Sequence, residues 1–108
     1  MNLTLLHSTD EEVDNFLELI QAVNAIGDWR GLCMNLQVTE GVINRLEHSR
    51  IHDEDKKRDC LQAYFDTGEA NWTEVVRAVM MSPIANMRIA KQIAKNHGVN
   101  YNKVKDEL

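Results

Sequence analysis

The sequence predicts an all-α domain, and three observations support this fold class. The chain has 108 residues, the size of one domain with a single hydrophobic core. Glycine is scarce and Pro83 is the only proline, whereas an all-β domain needs turn residues about every ten positions. Apolar residues recur at three- and four-residue steps, as on the buried face of a helix. We therefore expect one domain over residues 1–108, with its core within about 10–98.

Helices one and two are predicted from capping residues followed by apolar stripes. Thr9 and Glu12 have the spacing of a capping box, so helix one is expected over about residues 10–25. Gly27 is expected to supply a left-handed stop, and Asp28 to cap helix two. The two apolar stripes are Val13, Phe16, Leu17, Ile20 and Val23 in helix one, and Trp29, Leu32, Cys33 and Leu36 in helix two.

Helices three and four flank a segment that is dense in charge. Thr39 is the expected N-cap of a short helix three. Residues 50–58 carry charges of both signs and are predicted to form a solvated loop leading into helix four, which should end at Gly68. The apolar stripes are Ile43 and Leu46 in helix three, and Cys60, Leu61, Tyr64 and Phe65 in helix four.

Helices five and six are also predicted from capping residues and apolar stripes. Asn71 is the expected cap of helix five, which should run to Ser82. Pro83 can start helix six, with Ser82 or Asn86 as its cap, and Gly98 should end it. The polar tail over residues 99–108 is expected to be frayed. The apolar stripes are Trp72, Val75, Val76 and Val79 in helix five, and Ile89, Ala90, Ile93 and Ala94 in helix six.

Charge and composition narrow the possible functions. The net charge is -5, and no stretch forms the one-sided basic stripe that nucleic acid requires, so a nucleic-acid partner is not expected. No apolar run approaches the roughly 20 residues of a membrane span. The spacing of Cys33 and Cys60 fits neither a disulfide framework nor a zinc ribbon, which predicts a reducing, cytoplasmic location. Residues 105–108 spell the ER-retrieval signal, but nothing in the sequence predicts entry into the ER, so we expect no retrieval.

The order of these segments resembles the death-domain family. Residues 27–38, with Ile43 and Leu46 after them, resemble that family's pattern of Trp, Leu-Ala, Leu and Ile. Two positions depart from the pattern, because Tyr64 stands where Trp is usual and Cys33 where Ala is usual. Both changes are tolerable in a core. Later segments that continue the similarity are Leu61 with Tyr64 and Phe65; Trp72 with Val75, Val76, Ala78 and Val79; and Asn86 with Ile89, Ala90 and Ile93.

The resemblance implies an antiparallel six-helix bundle with Greek-key topology that binds other death-domain proteins, or itself, in intracellular signalling of the apoptotic or innate-immune type. It also implies that the domain has no active site and no cofactor. By the same similarity, two regions are candidate contact surfaces: the region around helix three and the start of helix four, and the corner between helices four and five. The partner-binding residues predicted there are Arg50, Asp53, Glu54, Asp55, Lys56, Lys57 and Arg58, and Asp66, Glu69 and Asn71.

Several alternatives stay open at this stage. The charged segments could be ordinary solvated surface. The bundle could be an autoinhibitory or structural domain of a larger receptor or scaffold. A small thiol- or metal-dependent enzyme would have to use Cys33, Cys60, His48 or His52, but both cysteines fall on buried stripes and no base or further ligand lies at a recognisable spacing. Trp29 and Trp72 are expected in the core rather than at a binding surface.

Overall fold

The computed structural model of this chain describes residues 12–108, and these residues form seven α-helices. Within this range there is no β-strand, only one isolated bridge between Glu12 and Asn71. The predicted all-α fold class is confirmed. The helices are α1 Phe16–Ala22, α2 Trp29–Asn35, α3 Glu40–Glu47, α4 Asp53–Phe65, α5 Trp72–Met80, α6 Met87–His97 and α7 Tyr101–Asp106.

The first helix starts later than the sequence predicted. Asn15 caps α1 by accepting a hydrogen bond from the Glu18 N–H at 3.1 Å. The preceding residues are extended instead, because the Val13 N–H donates to the Ala70 carbonyl at 2.9 Å, beside the Glu12 bridge. The predicted capping box is therefore wrong for Glu12, and its other half, residue 9, lies outside the described range.

Capping explains most of the other helix boundaries. Asp28 and Asn71 each accept a hydrogen bond from the backbone N–H three residues later, as predicted. Of the two candidate caps of helix six, Asn86 caps it in the same way, and because α6 begins at Met87 the prediction that Pro83 starts this helix is wrong. Thr39 is the N-cap residue of α3, but its side chain makes no capping hydrogen bond.

Two of the three predicted glycine stops are confirmed. Gly68 and Gly98 follow α4 and α6 with φ angles of 77° and 73°, the left-handed conformation that glycine adopts readily. Gly27 does not adopt this conformation, and α1 has already ended at Ala22.

The charged run is helical for most of its length, which corrects the predicted loop. The 13-residue α4 begins at Asp53, with Glu54 and Asp55 also in its first turn. Carboxylates at this end are favoured by the partial positive charge of the helix N-terminus. Of the charged run, only residues 50–52 lie outside α4, in the connection from α3.

The tail is also ordered, so the prediction of a frayed end is wrong. Asn100 caps α7 by accepting from the Lys103 N–H at 3.1 Å. Val99 and Val104 are buried in the main core, and half-buried Tyr101 packs against it. These contacts dock α7, the seventh helix of the described residues, against the main core.

The core has two parts. The main cluster surrounds α5, which contacts α2, α6 and α7, and it includes Trp72 at 3% exposure. A smaller cluster lies between α2, α3 and α4 and contains Trp29 at 7% exposure. The prediction that both tryptophans belong to the core is confirmed. In α1 the stripe was partly wrong, because Leu19 is fully buried whereas Leu17 is 61% exposed.

Leu19 and Leu17 give a matched test of which face of α1 packs in the core. Leu19→Ala should lower the free energy of unfolding by about 2–5 kcal/mol, because it opens a cavity in the main cluster. Leu17→Ala makes the same chemical change on the same helix and should cost less than about 0.5 kcal/mol. Denaturant unfolding followed by circular dichroism measures both. Equal losses would show that the face assigned to the core of α1 is incorrect.

Candidate protein-protein interface

The first predicted contact region forms an exposed surface at the start of α4. We call it the α4 charged surface, and it consists of Arg50, Asp53, Glu54, Asp55 and Arg58. Within residues 12–108 none of these five side chains belongs to an ion pair. Charges of both signs are therefore available to a partner, and their net charge is close to balanced.

Lys56 borders this surface but is half-buried. Its Nζ lies 5.8 Å from the centroid of the Trp29 ring and donates to the Glu47 carbonyl at 3.4 Å. A cation over the face of an indole ring is attracted by the π-electrons. Lys56 therefore covers the smaller core cluster. Beside it, the half-exposed Arg30 and Glu47 side chains form an ion pair at 3.3 Å.

Lys57 differs from the sequence prediction, because it is buried and not part of the exposed surface. Only 5% of the residue is exposed, and its Nζ donates to the carbonyls of Ile26 at 2.7 Å and Asn24 at 3.2 Å. Burial lowers the pKa of Lys57, and the nearby charge of Glu54 opposes that shift. The ammonium group holds the connection between α1 and α2 instead of facing a partner.

The second predicted region, the corner between α4 and α5, offers two free carboxylates. Asp66 and Glu69 are exposed, and Asp66 accepts from the Gln62 side chain at 2.8 Å. Asn71 is half-buried and uses its side-chain oxygen to cap α5, so its role is largely structural. Tyr64 is buried beneath this corner and contacts Asn71.

Tyr64 joins the two helices through its hydroxyl group. The hydroxyl donates to Glu74 Oε1 at 2.7 Å and accepts from the Asn71 N–H at 3.1 Å. Burial, and then the hydrogen bond to Glu74, raise the pKa of Tyr64. The phenol therefore stays protonated, and its hydrogen bonds hold the corner that carries Asp66 and Glu69.

The two predicted regions do not form one surface. They lie at opposite ends of the 13-residue α4, about 20 Å apart at 1.5 Å per residue. A partner contacting both would have to span the length of this helix.

The cysteines are paired, which the sequence spacing did not predict. Cys33 on α2 and Cys60 on α4 are joined by a disulfide, with their Cα atoms 6.3 Å apart. Both residues are buried, at 1% and 0% exposure, as the apolar stripes predicted. A thiol nucleophile needs an exposed thiolate, so this pair does not support the thiol-enzyme alternative.

The two histidines of the metal alternative have other surroundings. His48 Nδ1 lies 2.9 Å from the Asn44 carbonyl, and His52 is the N-cap residue of α4. In the part of the chain that the structure describes, no three His, Cys, Asp or Glu side chains are grouped so that they could hold a metal ion.

A third histidine, His97, closes one end of a groove of about 590 Å³ between α1 and α6. Its ring stacks on Trp72 with centroids 3.6 Å apart and planes 9° apart. Burial lowers the pKa of His97, and Glu18 on α1 opposes that shift. The neutral ring is therefore the form that suits this contact.

Sequence reasoning missed one charged face. Arg88, Lys91 and Lys95 are exposed at i, i+3 and i+7 on α6, opposite the buried stripe of that helix. Three cations are fewer than a phosphate backbone requires, so the expectation that no basic stripe suits nucleic acid stays a prediction. The signal was present in the sequence, because residues 82–105 contain five basic and no acidic residues.

Comparisons with protein-family models, with curated proteins and with solved structures give no match. Among residues 12–108, no helix is both long enough and apolar enough to cross a membrane.

Lys57 can be tested against its exposed neighbour. Lys57→Met keeps most of the apolar stem but removes the ammonium group, which leaves the carbonyls of Asn24 and Ile26 without this donor. Hydrogen bonds from charged groups are worth about 1.5–3 kcal/mol, so the free energy of unfolding should fall by about that amount. Arg58→Met, one residue away and exposed, should change it by less than about 0.5 kcal/mol. Equal effects in urea unfolding would contradict the structural role of Lys57.

His97 should make stability depend on pH. Since its pKa is lower in the folded than in the unfolded chain, the unfolded chain binds the proton more readily, and stability falls as pH drops below about 6.5. His97→Gln should flatten this part of the profile of Tm against pH. His48→Gln, on the exposed side of α3, controls for the loss of one histidine. If the parent and His97→Gln have the same slope, the stacked neutral ring is not the titrating group.

Proposed function

We propose that this chain is a non-catalytic interaction module of the death-domain kind, which binds similar helical domains in intracellular signal transduction. In this proposal the helices from α1 to α6 form the antiparallel Greek-key bundle of that family, and α7 is an addition packed against α5 and α6. The domain would gather partners in apoptotic or innate-immune type signalling without a cofactor.

The observation that carries the proposal is the agreement between the ordered motifs and the helices. The death-domain-like segments fall on α2, α3, α4, α5 and α6 in order, and the residues that anchor them, including Trp29, Leu61, Trp72 and Ile89, are buried. The exposed charges of the α4 charged surface lie where the family similarity puts a contact region. This surface supports recognition by charge complementarity, which contributes chiefly to specificity and association rate.

A cytoplasmic location is part of this proposal. The bond between Cys33 and Cys60 weighs against it, because structural disulfides are rare in the cytosol. In a reducing compartment the same two residues would be buried thiols, which pack like small apolar side chains. The cluster between α2, α3 and α4 is therefore compatible with either redox state.

Charge reversal on the α4 charged surface tests the proposal. Arg58→Glu should weaken binding to a panel of purified death domains by at least about tenfold, since it opposes a complementary charge across the contact. The Tm should stay nearly unchanged, because exposed substitutions seldom alter stability by more than about 0.5 kcal/mol. Light scattering after size exclusion, at low and high salt, measures the association.

The matched control is Arg45→Glu, which makes the same charge change at an exposed position of α3. Binding of the parent should survive in this variant and weaken as salt is added. A parent that associates neither with itself nor with any death domain of the panel would count against the proposed function.

A further inference from the structure

Charge is divided unevenly along this chain. Residues 82–105 contain five basic and no acidic residues, while the rest of the chain contains seven basic and 17 acidic residues. The folded domain therefore combines a basic part, built by α6 and α7, with a strongly acidic remainder. Such a distribution allows one copy to attract another even though the net charge is -5.

The basic part presents a defined face, which we call the basic surface: Met87, Arg88, Lys91 and Lys95. The three cations are exposed on the side of α6 that faces away from the core, and none forms an ion pair within residues 12–108. Lys91 Nζ lies 5.5 Å from the centroid of the Tyr101 ring, which positions one of the charges.

The acidic surface lies where the chain before α1 meets the α4–α5 corner. It consists of Glu12, Asp14, Leu17, Asp66 and Glu69, all exposed. The bond between Val13 and Ala70 at 2.9 Å brings its two segments together. Neither residues 12–29 nor residues 59–76 contain a Lys or Arg, and none of the four carboxylates is in an ion pair of the described chain.

Each surface also exposes one large apolar side chain. Met87 is 42% exposed beside Arg88 and one helical turn before Lys91, and Leu17 is 61% exposed three residues after Asp14. Interfaces combine an apolar centre with a polar rim, and methionine is enriched in them. The two surfaces therefore match in both charge and composition.

We propose that the basic surface on α6 docks on the acidic surface of a second copy of this chain. The proposal rests on the proposed association of similar domains and adds a named contact to it. Because two different surfaces meet, the contact is head-to-tail, and the resulting pair keeps one basic surface free on one copy and one acidic surface free on the other. Association would then continue beyond a dimer as concentration rises.

The same basic face could in principle meet a nucleic acid or an anionic membrane, but the charge of the whole domain favours a copy. Three clustered cations neutralise few phosphates, and the 17 acidic residues elsewhere would repel an extended polyanion. A second copy instead supplies four carboxylates that form no ion pair within residues 12–108, on a surface of domain size.

One-sided variants test the head-to-tail contact. The basic-surface variant carries Arg88→Gln and Lys95→Gln, and the acidic-surface variant carries Asp14→Asn and Glu69→Gln. Sedimentation of the parent at low salt should give masses above twice the 12.4 kDa of one chain. Each variant alone should associate at least about tenfold more weakly, since its complementary pairs are lost. An equimolar mixture should form a complex that stops at two chains, because one intact surface of each kind remains.

The control variant carries Arg45→Gln and Lys105→Gln, which change the net charge as the basic-surface variant does but lie outside both surfaces, and it should behave like the parent. The proposal is overturned if the parent stays monomeric at low salt, if either one-sided variant assembles as the parent does, or if the mixture stays monomeric. Binding of the parent to duplex DNA or to phosphatidylserine vesicles without self-association would also overturn it. Loss of partner binding only in Arg58→Glu would leave the proposed function standing and this contact refuted.

Discussion

Burial of α5 is the constraint on which the rest of the fold depends. Six of its nine residues are buried, so this helix is apolar around most of its circumference and has to be covered on several sides. The helices α2, α6 and α7 provide that cover. Their inner faces are therefore committed to packing, and the outer faces of α4 and α6 carry the exposed charges on which the two proposals rest. The proposed recognition relies mainly on exposed charge, because the apolar side chains of the described residues are largely used inside.

The smaller cluster fixes α4, whose outer face carries the proposed contact. The disulfide links α2 to α4 across 27 positions of sequence, which in the chain-entropy model contributes about 3–4 kcal/mol. Lys57 ties the same helix to the connection between α1 and α2 through two carbonyls. Arg58 and Asp55 thus lie on a helix whose inner face is held by the disulfide to α2 and by the Lys57 hydrogen bonds. A rigid support of this kind lets exposed charges give specificity with little ordering cost.

Features that depend on neighbouring residues, such as helix caps, were predicted from the sequence. Features that depend on contacts between distant segments were missed. Asp28 and Asn71 were recognised as caps, and Asn86 as one of two candidates, because a cap needs only the next three residues. The start of α1 was missed, since residues 12 and 13 pair with a segment nearly 60 positions away. Pairing of Cys33 with Cys60 and burial of Lys57 likewise arise only when α4 packs on its neighbours. For α7, two valines gave too short a pattern to indicate a helix.

The α4 charged surface and the basic surface on α6 differ in the signs of their charges and therefore in the reach of their electric fields. The α4 charged surface mixes both signs, so its field falls off faster with distance than that of a surface of one sign, and in the proposed contact the pattern of its charges would give specificity. The basic surface on α6 has one sign, and its field reaches about a Debye length, roughly 8–10 Å at physiological salt. Attraction between this face and the acidic surface would therefore orient two copies before they touch. Because the faces are not self-complementary, this orientation favours successive addition over closure into a symmetric pair.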